Sequence, residues 1–428
     1  MLIFIVTISA ALEYLPLYGK IELSTHYYSK LSLGTPPQEK IFLLDLESGL
    51  SALTCSPCEG CGEHQSPYFS PESSSSSEIL SYPTNNNLRS SQKSTLNYSI
   101  NYFYGSKISG YLIQESLTFL NSFNVSKQFQ MVLGCNSFEN GRFLNRPADG
   151  ILGLGRSNNE NYSIVESLIR AKTIKGKSFS ICLGSVDGFI VFGGMDEKFN
   201  MGPVSWVNMV KSNNYGMRID EISIGGWNLN VFKAQAEFMI SSGSSISFFC
   251  EDIFKEIMNG FNEYCKQAGM CQGTKTDFKE FSGLCFHSKK VPYASFPSIK
   301  FLANGSTISW EPESYLIRIQ GNSGLYCVGI SLNNQSEKNI LGSNFFRQKQ
   351  IFFDLENEKL GFSASSCEQL DLISSTEKTH NYFFVESRPV STINIFYILA
   401  AIHFSFLAAY LKVRNSIRLQ NNKIIVTN

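Results

Sequence analysis

With 36 basic and 36 acidic side chains in 428 residues, the chain has no net charge with which to hold nucleic acid. It is also long for a single hydrophobic core, so two lobes are expected. Short alternating runs rich in Ser, Thr, Tyr, Phe and Gly make it a mostly β protein.

At the N-terminus, Leu2 to Leu12 is apolar, short for a membrane span and of signal-peptide length, and a leader is assigned to residues 1–20. Sequons at Asn97, Asn124, Asn161, Asn304 and Asn334, together with 11 cysteines, fit an oxidising, glycosylating lumen. The first structural landmark is Leu31-Ser-Leu-Gly34-Thr-Pro-Pro-Gln38. It is followed by the apolar run Ile41-Phe-Leu-Leu that drives Asp45 to the edge of a core and breaks into Leu46-Glu47-Ser48-Gly49. A strand ending in a turn holds one carboxylate rigidly at the floor of a cleft.

Cys55, Cys58, Cys61 and His64 come next, at a spacing that zinc or disulfides could use; in a secreted chain disulfides are favoured and no metal is expected. Ser73 to Ser77 reads as a solvated loop. Tyr98 to Leu112 alternates around Gly105-Ser106 as a hairpin. Ala148-Asp-Gly-Ile-Leu-Gly-Leu-Gly155 lacks the helix-opening Lys-Ser/Thr of a phosphate loop, and its glycines fit close backbone packing better. Ser163 to Lys172 has helical spacing, and Phe238-Met-Ile-Ser241-Ser242-Gly243-Ser244 repeats the earlier apolar run and small-residue turn. A short helix is expected at Glu251 to Phe261. Beyond a polar stalk at 368–391, residues 392–411 are apolar enough to cross a bilayer. The basic, acid-free tail 412–428 then orients the chain with its tail in the cytosol.

The order and spacing of these motifs over about residues 27–367 resemble the pepsin-like aspartic proteases, nearest their nepenthesin-like and plasmepsin V-type membrane-anchored branch. That resemblance implies a bilobal fold with lobes at 27–200 and 201–367, no cofactor, and a cleft for a peptide or protein. It implies a flap tyrosine at Tyr102, with Tyr104 nearer the pepsin spacing, and a disulfide between Cys285 and Cys327. A clasp of the shared base by Cys182 and Cys367 is also expected.

In the family two aspartates, one per lobe, share a proton, and their like charges separate their pKa values. Asp45 matches the first; Ser241 stands where the second belongs and cannot ionise. Leu46 replaces a threonine whose hydroxyl ties the two loops, and Glu47 replaces a glycine. A dyad made by Asp45 and Glu47 within one loop is disfavoured, since the family has no such arrangement. The expected protein is therefore a single-pass type I membrane protein with a lumenal or extracellular ectodomain. It is catalytically impaired and keeps its cleft for binding; an active aspartic endopeptidase is the alternative.

Overall fold

A computed structural model describes residues 12–367, except 21–25, 83–93, 103–104, 121–124, 147, 158, 230–235, 277–282, 320–323 and 335. The expected stalk, membrane span and cytosolic tail lie outside the described residues, as do Asn124 and Tyr104. No described helix is long and apolar enough to cross a membrane.

The architecture is mostly β and bilobal. Each lobe carries the same knot of strands, because each repeats the same apolar run and turn. In the first, Gln38–Asp45 runs parallel to Gly150–Gly153, setting Asp45 opposite Gly153. Ala52–Thr54 crosses antiparallel to that second strand and parallel to Ser126–Glu139. In the second, Ala236–Ile240 runs parallel to Asn339–Leu341. Ser247–Phe249 pairs antiparallel with Asn339–Leu341 and parallel with Ile330–Leu332. Alternation along Gln38–Asp45 puts Phe42 and Leu44 into the core, and Phe238 and Ile240 do the same in the other lobe.

A base sheet joins the two halves. Its order is Ser205–Asn208, Lys359–Ala364, Lys349–Asp354, Ser178–Leu183, Val186–Phe192, then Glu13–Lys20. The last strand overlaps residues 13–20, part of the leader expected from sequence. Glu13–Lys20 pairs in register with Val186–Phe192 and buries Tyr14, Leu15 and Leu17, so it belongs to the folded body, which begins before residue 27. Its apolar alternation continues the upstream hydrophobic run, and in sequence a buried strand and a leader look alike there.

Among the helices, Ile164–Arg170 is capped by Ser163, whose hydroxyl accepts from Glu166 N (3.4 Å). The helix after the second turn runs Glu251–Cys265, four residues beyond the expected end. Disulfides join Cys55–Cys135, Cys58–Cys61, Cys182–Cys367, Cys265–Cys271 and Cys285–Cys327, leaving Cys250 as a free thiol. Of the sequon asparagines, Asn97, Asn161, Asn304 and Asn334 are exposed.

Candidate active site

Asp45 leaves its strand into a turn that folds back on its own carboxylate. Oδ1 accepts from the amides of Glu47 (2.8 Å) and Ser48 (3.1 Å), and Oδ2 accepts from Ser48 Oγ (2.7 Å). The turn lies directly against the glycines of the Ile-Leu-Gly-Leu-Gly stretch. A Cβ on Gly153 would come within 2.6 Å of the Leu50 carbonyl, and one on Gly155 within 2.9 Å of the Leu46 carbonyl oxygen. Close backbone approach accounts for these glycines.

Ser48 connects Asp45 to the hairpin above it. Its single proton goes to Asp45, so Tyr102 donates to Ser48 Oγ, at 2.8 Å. Asn97–Asn101 and Lys107–Leu120 form the arms of this hairpin, and Tyr102 packs edge-on against Phe143 at 5.0 Å. Burial, followed by the Asp45 charge, pushes the Tyr102 phenol well above 10, which keeps it a donor.

The second loop is held from behind. Ser241 N donates to Leu341 O (3.0 Å), and the Ser241 side chain is buried. Ser242 Oγ accepts from Leu46 N (2.9 Å) and donates to Leu44 O (3.0 Å), while Ser343 Oγ donates to Ser242 O (3.0 Å). The loops are thus tied from one side: Ser242 supplies its hydroxyl, whereas Leu46 offers only its amide and sinks its side chain into the core.

Glu47 occupies the space that this asymmetry leaves. Its side chain reaches across to the second loop, with Oε2 3.3 Å from where a Gly243 Cβ would stand. Its carboxyl lies close enough to Asp45 and Ser241 for both to act on its titration. Burial, then the Asp45 charge, raises its pKa well above 4.5, so it carries a proton where an exposed glutamate is ionised. The residue as a whole keeps partial exposure. Asp45 and Tyr102 are thus joined through Ser48, while Ser241 stands in the facing loop and acts on the Glu47 carboxyl, which comes from the first lobe like that of Asp45.

Sequence reasoning passed over Arg146 and, although it singled out His64 beside the cysteines, passed over the partner of that histidine, because no motif marks either. Arg146 stacks over Phe143 at 5.4 Å; burial lowers its pKa, and the charges of Asp45 and Glu47 act in the opposite direction. Beneath the hairpin, His64 turns inward to Glu139 (3.0 Å), both side chains being 2 % exposed. Thr54 and Asn136 also donate to Glu139. Burial opposes charge on both partners, yet these contacts hold His64 above its ordinary pKa and Glu139 below its own. His64 is thus engaged with Glu139 and Thr54, while the cysteines it neighbours in sequence are taken up in disulfides, Cys55 with Cys135 and Cys58 with Cys61. No metal-holding cluster of His, Cys, Asp and Glu occurs among the described residues.

The sequence profile of the eukaryotic aspartyl protease family matches residues 26–365. Plasmepsin V of Plasmodium falciparum is 24 % identical over 452 residues, covering 86 % of this chain and 74 % of its own. Aspartic proteinase-like protein 1 of Arabidopsis thaliana is 26 % identical, covering 80 % of this chain and 67 % of its own. Among solved structures, basic 7S globulin from soybean superposes with a TM-score of 0.65 at 19 % identity, over 84 % of this chain and 96 % of that one, a likeness of fold.

Proposed function

The chain belongs to the eukaryotic aspartyl protease family, and from that premise we propose that it is a membrane-tethered, lumenal member whose interlobe cleft binds an extended polypeptide beneath the Tyr102 hairpin. The observation that carries this reading is the hydrogen-bonded series from Tyr102 through Ser48 to Asp45, an intact half-site coupled to its flap. The family's cross-lobe chemistry is impaired, because residue 241 is a serine with no carboxylate to contribute. Exposed sequons, five disulfides and the apolar segment at 392–411 support the topology.

Fluorescence anisotropy on the detergent-solubilised full chain, with labelled peptides of mixed sequence, tests the cleft. Saturable binding that Tyr102→Ala weakens by about tenfold or more is expected, since removing an aromatic anchor costs on the order of 1–2 kcal/mol. Binding to no peptide between acid and neutral pH overturns the reading. Membrane topology is tested separately: the protein should resist alkaline extraction from membranes, and release into the soluble fraction overturns the tether.

A second reading, an active aspartic endopeptidase, is favoured by one observation, the Glu47 carboxyl lying against Asp45.

A further inference from the structure

We propose that Glu47 replaces the carboxylate missing at residue 241, so that Asp45 and Glu47, two residues apart on one turn, form the acid–base pair that hydrolyses a polypeptide in the cleft. The inference rests on the peptide-binding reading above and adds chemistry to it. Three geometric facts carry it. The Glu47 amide donates to Asp45 Oδ1 at 2.8 Å, and the Glu47 carboxyl lies close enough to Asp45 for that charge to act on it. The same carboxyl reaches across to the second lobe's loop, with Oε2 3.3 Å from where a Gly243 Cβ would stand. The Asp45 carboxylate is fixed by three donors of its own turn, so the pair is rigid before substrate arrives.

The serine at 241 is then part of the arrangement. An aspartate there would add a carboxylate beside the existing pair, whereas a hydroxyl carries no charge and lowers the Glu47 pKa. Ser241 is a positioning residue. The charged and titratable groups acting on Glu47 are Asp45, Tyr102 and Arg146.

The reaction balances with water as the only co-reactant. Asp45 removes a proton from water as the water oxygen bonds to the scissile carbonyl carbon, and Glu47 gives its proton to the carbonyl oxygen, forming a gem-diol. Asp45 then protonates the amide nitrogen while a diol hydroxyl returns its proton to Glu47. The C–N bond breaks, an amine and a carboxylic acid leave, and both side chains are back in their starting states.

The test uses the detergent-solubilised full chain and a library of quenched fluorescent peptides. Wild type is expected to cleave at acid pH. Asp45→Asn and Glu47→Gln should each lower kcat by about 100- to 10,000-fold while peptide affinity, read by anisotropy, stays within about threefold. Glutamine preserves the size of Glu47 and can still hydrogen-bond Ser241. Should it nevertheless fail to fold, the wild-type pH profile remains a test, because activity must persist above the ordinary carboxylate range of about 4 and fall as Glu47 loses its proton. Ser241→Ala should move that alkaline limb upward, because the Ser241 hydrogen bond lowers the Glu47 pKa.

Cleavage that survives Glu47→Gln, or a wild type whose alkaline limb lies at about 4, overturns the proposal. Wild type that binds peptides without cleaving any also overturns it while sparing the peptide-binding reading; absence of binding overturns both.

Discussion

Replacing Ser242 by alanine removes the hydroxyl that spans the two lobes' loops. Two buried contacts go at once: the one accepted from Leu46 N at 2.9 Å and the one donated to Leu44 O at 3.0 Å. Each group left unpaired in the interior costs about 1–3 kcal/mol. The carbonyl has a second lone pair and a strand neighbour, so its share lies at the low end, and a total of about 2–4 kcal/mol follows. Unfolding entropy is about 2.1 cal/mol/K per residue, and the family match spans 26–365. The melting temperature should therefore fall by about 3–6 °C. Calorimetry on the solubilised full chain reads this, with Ser242→Thr as the control that keeps a hydroxyl. A Ser242→Ala protein melting within about 1 °C of wild type would show that packing of Leu46 holds the loops together and that the hydroxyl does not.

Three further outcomes are expected. His64→Ala should destabilise by about 3–5 kcal/mol, as for breaking a buried ion pair. The His64 pKa is raised, so its contribution is full below the ordinary histidine value and is lost as pH rises through the raised one. The Glu139 pKa is lowered, so its contribution is full above the ordinary glutamate value and is lost as pH falls through the lowered one. The gap in melting temperature between wild type and variant should thus be widest at mildly acid pH, and a gap that stays flat from acid to alkaline pH refutes the pairing. Leu46→Thr restores the family residue but takes a fully buried side chain out of the core. It should cost about 2–3 kcal/mol, and a variant more stable than wild type contradicts this account of Leu46. Endoglycosidase should increase electrophoretic mobility, and Asn→Gln at Asn97, Asn161, Asn304 or Asn334 should each remove part of that change; the Asn304 Oδ1 contact to Asn208 N (3.0 Å) leaves its Nδ2 available for a glycan.

The backbone of the site is legible in the sequence because strand-then-turn patterns are local. An apolar run that stops at Asp45, and another that stops at Ser241, each declare a strand end and a small-residue loop. The fate of Glu47 is not local. Spacing along the first loop treats its side chain as an intrusion in a crowded turn. The room it occupies is created by a serine in the other lobe, nearly two hundred residues away, and no pattern within either loop encodes that complementarity. Leu46 is a similar case: the missing hydroxyl can be read from the residue type, whereas the retained use of its amide by Ser242 depends on how the loops meet. Arg146 and the His64–Glu139 pair depend equally on tertiary contacts between segments with no shared motif.

The base sheet also imposes a schedule on the nascent chain. Ser178–Leu183 is flanked on one side by Val186–Phe192, but its other neighbour is Lys349–Asp354, near the end of the folded body. Cys182, on that strand, waits for Cys367, 185 residues later. At about 5–20 residues per second, synthesis of that interval takes roughly 10–40 s. Throughout it an apolar strand edge stands open and a thiol stands unpaired, while Cys250, Cys265, Cys271, Cys285 and Cys327 emerge in turn. A ribosome that stalls short of residue 349 leaves the edge unsealed, which makes the half-made protein a client for a chaperone and a thiol isomerase.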